Sequence, residues 1–596
     1  MMLKRTYCTA RSMLHYVTIL VAAASFAPTS AYTQDLPVEL IHHRERIRIL
    51  AEESRRNPEN LNMQVTLAEA HMRSGELASA ESTLTSVFSR NPGFVPALAS
   101  LGQLHRRMFE YREALQQLDR AIALAPRDSA ARVLAADIAL ERMDFTSASS
   151  LYGTMLNENP RNPLALHGLA AVAYWENRFD DADRLARECL KADSGFARAW
   201  LLMSLLHRIR QENLEWAACG RKAVASDPLD DEARANYFNI LIRGEQKAAE
   251  GYAQAQIALK LNPYNLTAHS YIGNGWSART YPPLPLPLTG GERNTFLEIM
   301  AIADSSLATH DVASASRAYD LALGLLPNYI PALVGKGAVL YYMINYDEAL
   351  RYFLKALDID PDYGLAHYGA AMCLLRKRDA VNVELNNLRG RQPSDTPEPP
   401  ALRDVFTNYT RLDPEMQRII RSSVKPLQAY LPALKREKVT FLIFPFHHFL
   451  WQVPFNKKLQ GRKTFDGRLW DDVKGSGGSN ACAGEEWERD VKNFRFNVLT
   501  HEFAHQVHGF LPKNLRKEIT RLYAKAKKAR KTLDFYSDAN ENEYFAVGVE
   551  AYVSEYKLAD QKITYGHTKS ELLQVDPDLY SFIARLNQLA SSKKAK

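Results

Sequence analysis

Hydrophobic residues along most of this chain recur at helical spacing, and proline punctuates them at a fixed interval. Pro58, Pro92, Pro126 and Pro160 are 34 residues apart, Ser194 takes the next slot, and Pro228 the one after. Pro263, Pro327 and Pro361 continue the series with one disturbance. Between prolines the pattern repeats as well. Leu98, Leu101, Gly102, Ala114, Leu118 and Ala121 occupy one unit; Leu333, Gly337, Ala349, Phe353 and Ala356 occupy a later one. This spacing predicts two amphipathic helices per unit. Small residues at Gly102, Ala114, Gly337 and Ala349 let paired helices approach closely, and larger ones fill the space between stacked units. A further helix is predicted ahead of the array, from Leu36 to Asn57.

A 34-residue helix–turn–helix unit resembles the tetratricopeptide repeat (TPR), and the resemblance covers residues 58–390. It implies an all-α solenoid with a concave face that binds peptide or protein partners. Trp175, Trp200 and Trp216 are expected to pack in the core or between repeats. Residues 281–291 interrupt the array with closely spaced prolines that cannot continue a helix. That leaves a first part at 36–280, a linker, and a second part at 292–391; residues 392–400 form a second linker.

From Ala401 the texture changes, and 401–596 is expected to be an α+β domain. Leu402 to Leu434 is helical and punctuated by proline, and Val439 to Pro445 reads as a buried strand. Gly475 to Gly484 is rich in Gly and Ser; within it Asn480–Ala483 is either an edge strand for an extended substrate or a plain loop. A helix around Phe503, a basic helix over Lys513–Lys531 and a third from about Asn540 to Tyr556 follow. The basic run carries Leu515, Ile519, Leu522 and Tyr523 at helical spacing, which makes it the wet face of an amphipathic helix rather than a nucleic-acid site. A net charge of +7 over 596 residues gives no further pointer to nucleic acid.

The first residues read as a secretory signal over 1–31. Lys4, Arg5 and Arg11 precede an apolar run from Tyr16 to Ala27, and Thr29-Ser30-Ala31 offers small residues for cleavage. The run is short for a membrane span, so the expectation is an exported protein, periplasmic or secreted, without stable membrane insertion. Cys189, Cys219, Cys373 and Cys482 remain after the signal. Cys189 and Cys219, on the second helices of consecutive repeats, are the pair best placed for a disulfide; buried free thiols are the favoured state.

The chemistry centres on Thr500-His501-Glu502-Phe503-Ala504-His505. On a helix, positions i and i+4 share a face, so His501 and His505 can offer two imidazoles to one metal ion. Glu502 lies about 100° further round, where a general base can sit beside the metal without binding it. A catalytic zinc needs a third ligand. His508 shares the helix and is badly placed, and no later His sits at a metzincin spacing. Glu543, at the start of a second helix, is the better candidate, with Glu541 and Glu550 as rivals.

The string from Tyr536 through Asn540-Glu541-Asn542-Glu543-Tyr544-Phe545-Ala546 is similar to the catalytic domain of anthrax lethal factor and to the Mlc titration factor A peptidases, both gluzincins. The resemblance covers residues 490–560. It implies that Glu543 binds zinc, that Tyr536 stabilises the oxyanion, and that Glu550, with Asn540, supports the ligands from outside. The resulting expectation is a Zn2+-dependent peptidase acting on protein or peptide substrates. The alternative is a TPR binding scaffold whose C-terminal domain has kept the fold and lost the activity.

Overall fold

The computed structural model describes residues 38–273, 286–383, 397–464, 470, 473, 475–485, 497–534, 536–554 and 567–591. The expected signal segment, residues 281–285 of the first linker and residues 392–396 of the second lie outside them. The chain divides into two compact units, one of Phe26–Pro282 with Asn345–Arg391, the other of Pro283–Ile344 with Gln392–Lys596. The division falls at both expected linkers, after Pro282 and after Arg391, and also inside the second run of repeats, between Ile344 and Asn345.

In the first unit the helix Val38–Arg56 precedes paired helices, among them Leu61–Arg73 with Leu77–Arg90, and Val95–Arg107 with Tyr111–Leu124. The turn inside each pair needs one residue in the left-handed region. Gly75 supplies it first, and Phe109, Met143, Asn177 and Gln211 follow, each 34 residues after the last. Between pairs, a small residue receives a large one. A Cβ on Gly168 would collide with the ring of Tyr152, which cannot retreat because its hydroxyl donates to Asp137 Oδ1 at 2.5 Å.

Early and late repeats also meet. Arg73 pairs with Asp227 at 2.6 Å, and Arg107 donates to the carbonyl of Leu261 at 2.9 Å. The first helices of successive repeats carry ion pairs, Arg106 with Asp137 at 3.2 Å and Arg198 with Asp230 at 3.6 Å. The helix Leu266–Gly273 packs against Gly364–Ala380, and there His269 and His367, each six residues after its repeat proline, meet Nδ1 to Nδ1 at 2.9 Å. Cys189, Cys219, Cys373 and Cys482 are all free and buried; burial pushes the Cys189 thiol up to about 12.

In the second unit three strands form a small sheet in the order β1-β3-β2: β1 is Thr440–Phe444, β2 Gly475–Ser476 and β3 Asn480–Gly484. β1 and β3 run parallel with Thr440 opposite Asn480, and β2 is antiparallel to β3 with Ser476 opposite Cys482. Asn480–Ala483 is thus a central strand, paired on both sides, and β2 forms the edge. The proline-punctuated helical stretch of 402–434 consists of Leu402–Val405, Pro414–Val424 and Leu431–Arg436 with short 3-10 turns between them, the last two helices each carrying a proline in the first turn.

One face of the sheet carries the helix Val498–Phe510, whose Leu499, Phe503 and Val507 share a core with Phe441, Ile443, Ala481 and Ala483. The other face carries Phe444, Leu450, Val453 and Cys482. The helices Lys513–Ala529 and Glu541–Val553 follow; the first buries Leu515, Ile519, Leu522 and Ala526 and leaves its basic side exposed. No helix among the described residues is long and apolar enough to cross a membrane.

The repeat packing makes a paired prediction. Gly168→Ala should destabilise the repeat unit, because overpacking against the Tyr152 ring costs about 1–3 kcal/mol against about 1 kcal/mol gained in helix propensity. Gly153→Ala has nothing within 4 Å of the new methyl and should stabilise it by up to about 1 kcal/mol. Urea midpoints of the two variants should move in opposite directions.

Candidate metal centre

The helix Val498–Phe510 is fixed at both ends before any ligand is considered. Its N-cap Asn497 accepts from Thr500 N at 2.8 Å and donates through Nδ2 to Ser423 Oγ at 3.3 Å. Thr500 Oγ1 donates to the carbonyl of Ser423 at 3.1 Å. Further along, Gln506 Nε2 donates to the carbonyls of Thr440 and Gly478 at 2.7 and 3.1 Å, tying the helix to the sheet. His501 and His505 lie between these anchors, His501 only 3 % exposed.

The second helix is fixed by its own cap. Asn540 accepts from the backbone N–H groups of Asn542 and Glu543 at 3.0 and 3.1 Å, which sets the turn that carries Glu543. Glu543 Oε2 then lies 3.0 Å from His501 Nε2 and 3.6 Å from His505 Nε2, and the two Nε2 atoms are 3.1 Å apart. Among the described residues this is the group of His, Cys, Asp and Glu able to hold a metal. Glu550, two turns on, faces the other ring nitrogen: its Oε2 is 3.4 Å from His501 Nδ1, and its Oε1 accepts from Asn497 N at 3.2 Å. A proton on Nδ1 leaves the Nε2 lone pair for the centre, the usual arrangement of a ligating histidine. Glu541 stays outside the cluster. His508 does too, buried with its ring 5.3 Å from that of Phe545.

The donor set fits a tetrahedral cation. Ligands bonded at ~2.0–2.2 Å in a tetrahedron hold their donor atoms ~3.3–3.5 Å apart, and the three separations of 3.0, 3.1 and 3.6 Å bracket that spacing. Two imidazole lone pairs and a carboxylate oxygen at such range repel unless a positive charge lies among them. In the metal-free protein a proton takes that part. Burial works against a charged His501, but the carboxylates of Glu543 and Glu550 hold it up to about 10. Burial likewise opposes ionised Glu543, yet the two histidines hold it down to about 2.

Glu502 is not one of the ligands. Its carboxylate lies under the backbone of β2, where a Cβ on Gly475 would come 2.8 Å from Oε1 and one on Gly477 3.0 Å from Oε2. Burial, outweighing the nearby histidines, raises its pKa, the direction that suits a base which must take a proton and return it. Tyr536 lies with its ring centroid 6.4 Å from that of His501. Asp534 braces the loop that presents it, accepting from Ser537 N at 2.7 Å and meeting His567 Nε2 at 3.1 Å.

Sequence reasoning missed Ser423, Gly475, Gly477, Asp534 and His567. The glycines left a trace in the Gly-rich run. The Asp534–His567 pair, 33 residues apart, left none.

With the fold and this geometry in view, the class of the chain is plain: it carries tetratricopeptide repeats in a helical solenoid. A family model described as tetratricopeptide repeat matches residues 99–163 and 335–382. The chain is 22% identical over 251 residues to the DnaJ homolog subfamily C member 7 homolog of Dictyostelium discoideum, a stretch that is 42% of this chain and 38% of that protein. Among solved structures it is similar to a thermophilic TPR protein of Thermus thermophilus (19% identity, 30% of this chain and 96% of that one, TM-score 0.26). It is also similar to a tetratricopeptide repeat protein of Parabacteroides merdae (15% identity, 54% and 99%, TM-score 0.24). The residues matched by the family model lie outside the metal centre.

Metal binding should compete with the proton on His501. Between neutral pH and about 10, affinity for a divalent ion should rise by about tenfold per pH unit for the one proton displaced. Calorimetry in buffers of different ionisation enthalpy should detect that proton's release. His501→Ala and His505→Ala should abolish stoichiometric binding, and Glu550→Gln should weaken it by about 10–100-fold.

Proposed function

We propose that this TPR protein is a zinc metallopeptidase, its repeats engaging the substrate or a partner protein and its C-terminal unit hydrolysing a peptide bond. The observation that carries the reading is the convergence of His501, His505 and Glu543, with Glu502 beside them and left out of the ligand set. The His–His–Glu set favours zinc over harder ions. Bound there, zinc would supply a Lewis acid that polarises the scissile carbonyl and makes a water molecule acidic enough to attack near neutral pH.

The chain's own groups do the rest. Glu502, half-buried and raised in pKa by desolvation, takes the proton of the attacking water and passes it to the leaving amine. Tyr536 stands on the His501 side of the centre, where its hydroxyl can share the charge on the carbonyl oxygen. Glu550 and Asn540 hold His501 and Glu543 in register. The edge strand β2, lying over Glu502, gives an extended substrate a backbone to pair with. The charged first helices of the repeats offer polar contacts to a protein ligand. The basic–apolar–small pattern of residues 1–31 supports export to the periplasm or beyond.

A second reading is a TPR binding scaffold with an inert C-terminal unit. The comparisons favour it, since the family model they match is the repeat alone. Full-length protein loaded with zinc separates the two on a peptide library. The peptidase reading expects cleavage by wild type and a loss of about 10²–10⁴-fold in Glu502→Gln with its zinc retained. Zinc-loaded wild type that cleaves nothing, and is indistinguishable from Glu502→Gln, would leave the scaffold.

A further inference from the structure

β2 presents two chemically different sides. Gly475 and Gly477 turn their Cα hydrogens toward Glu502 and His505 on the helix side of the sheet. Ser476, between them, points the opposite way and is buried, its Oγ accepting from Asn456 Nδ2 at 3.0 Å. Beyond Ser476 on that opposite side lies a cavity of about 320 Å³, walled by Phe455, Leu459 and Trp470, with Lys458 and Asn480 exposed at its mouth. Phe455, Leu459 and Trp470 pack on the apolar cluster of Phe444, Leu450, Val453 and Cys482. The walls therefore rest on a fixed core. The volume is at the bottom of the ~300–1,000 Å³ range of ligand pockets, which suits one or two side chains rather than a cofactor.

Gly477 touches both places, contacting Glu502 and His505 on one side and lining the cavity on the other. A strand advances about 3.3 Å per residue and sends alternate side chains to opposite faces. A peptide extended along β2 with its scissile carbonyl at the metal centre would therefore direct a neighbouring side chain to the far face. We infer that the Phe455–Leu459–Trp470 cavity is the specificity pocket of this centre, and that it selects a bulky apolar or aromatic side chain within two residues of the scissile bond. The Lys458 ammonium at the mouth adds a preference for a carboxylate on the residue beside it. This inference rests on the peptidase reading above, and its test keeps the two apart.

Zinc-loaded full-length wild type, Trp470→Ala, Leu459→Ala and Glu502→Gln are compared on peptides that vary one position at a time. Wild type should cleave peptides with Phe or Leu at one such position at least tenfold better, in kcat/KM, than those with Gly or Asp there. Trp470→Ala and Leu459→Ala should erase that ratio while zinc content stays at the wild-type stoichiometry. Cleavage by wild type with no preference, or a preference that neither variant alters, would overturn the pocket and leave the peptidase. If wild type cleaves nothing, binding of N-acetyl-phenylalaninamide and N-acetyl-glycinamide is read by tryptophan fluorescence. Selective binding of the first that is lost in Trp470→Ala would sustain the pocket and sink only the peptidase reading. No selective binding would overturn the pocket as well.

Discussion

Three donor atoms that repel one another are held 3.0 to 3.6 Å apart in a largely enclosed place. His501 Nε2, His505 Nε2 and Glu543 Oε2 are stable together only around a positive charge, whether a proton or a metal ion. That demand sets much of the architecture of the C-terminal unit. Each donor needs a support stiff enough to withstand the repulsion, and each has one. Asn497 and Ser423 fix the start of the first helix, Gln506 ties its later turns to the sheet, and Asn540 fixes the first turn of the second helix. Glu550 completes the arrangement by holding the far nitrogen of His501.

The sheet serves the centre by what its edge lacks. A side chain at Gly475 or Gly477 would run into the Glu502 carboxylate, so the backbone of residues 475–477 can lie directly over that group. Glu502 is thereby partly screened from solvent, and that desolvation raises its proton affinity. The remaining alternation of β2 links the metal face to the opposite face, where the apolar cavity lies.

The repeat array follows different rules. The two helices of each pair are joined through a left-handed residue recurring every 34 positions, and only Gly75 in the series from 75 to 211 is the glycine that such a conformation prefers. The others carry a local strain that the stacked helices override. Contacts such as Arg73 with Asp227 then bring repeats together that are far apart in sequence.

Periodicity made the repeats legible in the sequence. A 34-residue recurrence of proline, small and large positions has few physical solutions, because each unit must stack on the next. The i, i+4 histidines and intervening glutamate were equally legible, because a single helix fixes their relation. Sequence alone could not fix which of Glu541, Glu543 and Glu550 stands beside the two histidines, since that depends on how two helices cross. Tertiary packing decided it: Asn540 sets the cap, and Glu550 is turned to the opposite nitrogen. Packing also placed Asn480–Ala483 in the middle of the sheet and Gly475–Ser476 at its edge. Strand order is a matter of long-range pairing that local pattern does not carry. The Asp534–His567 brace belongs to the same class, two ordinary residues given a role only by the fold that joins them.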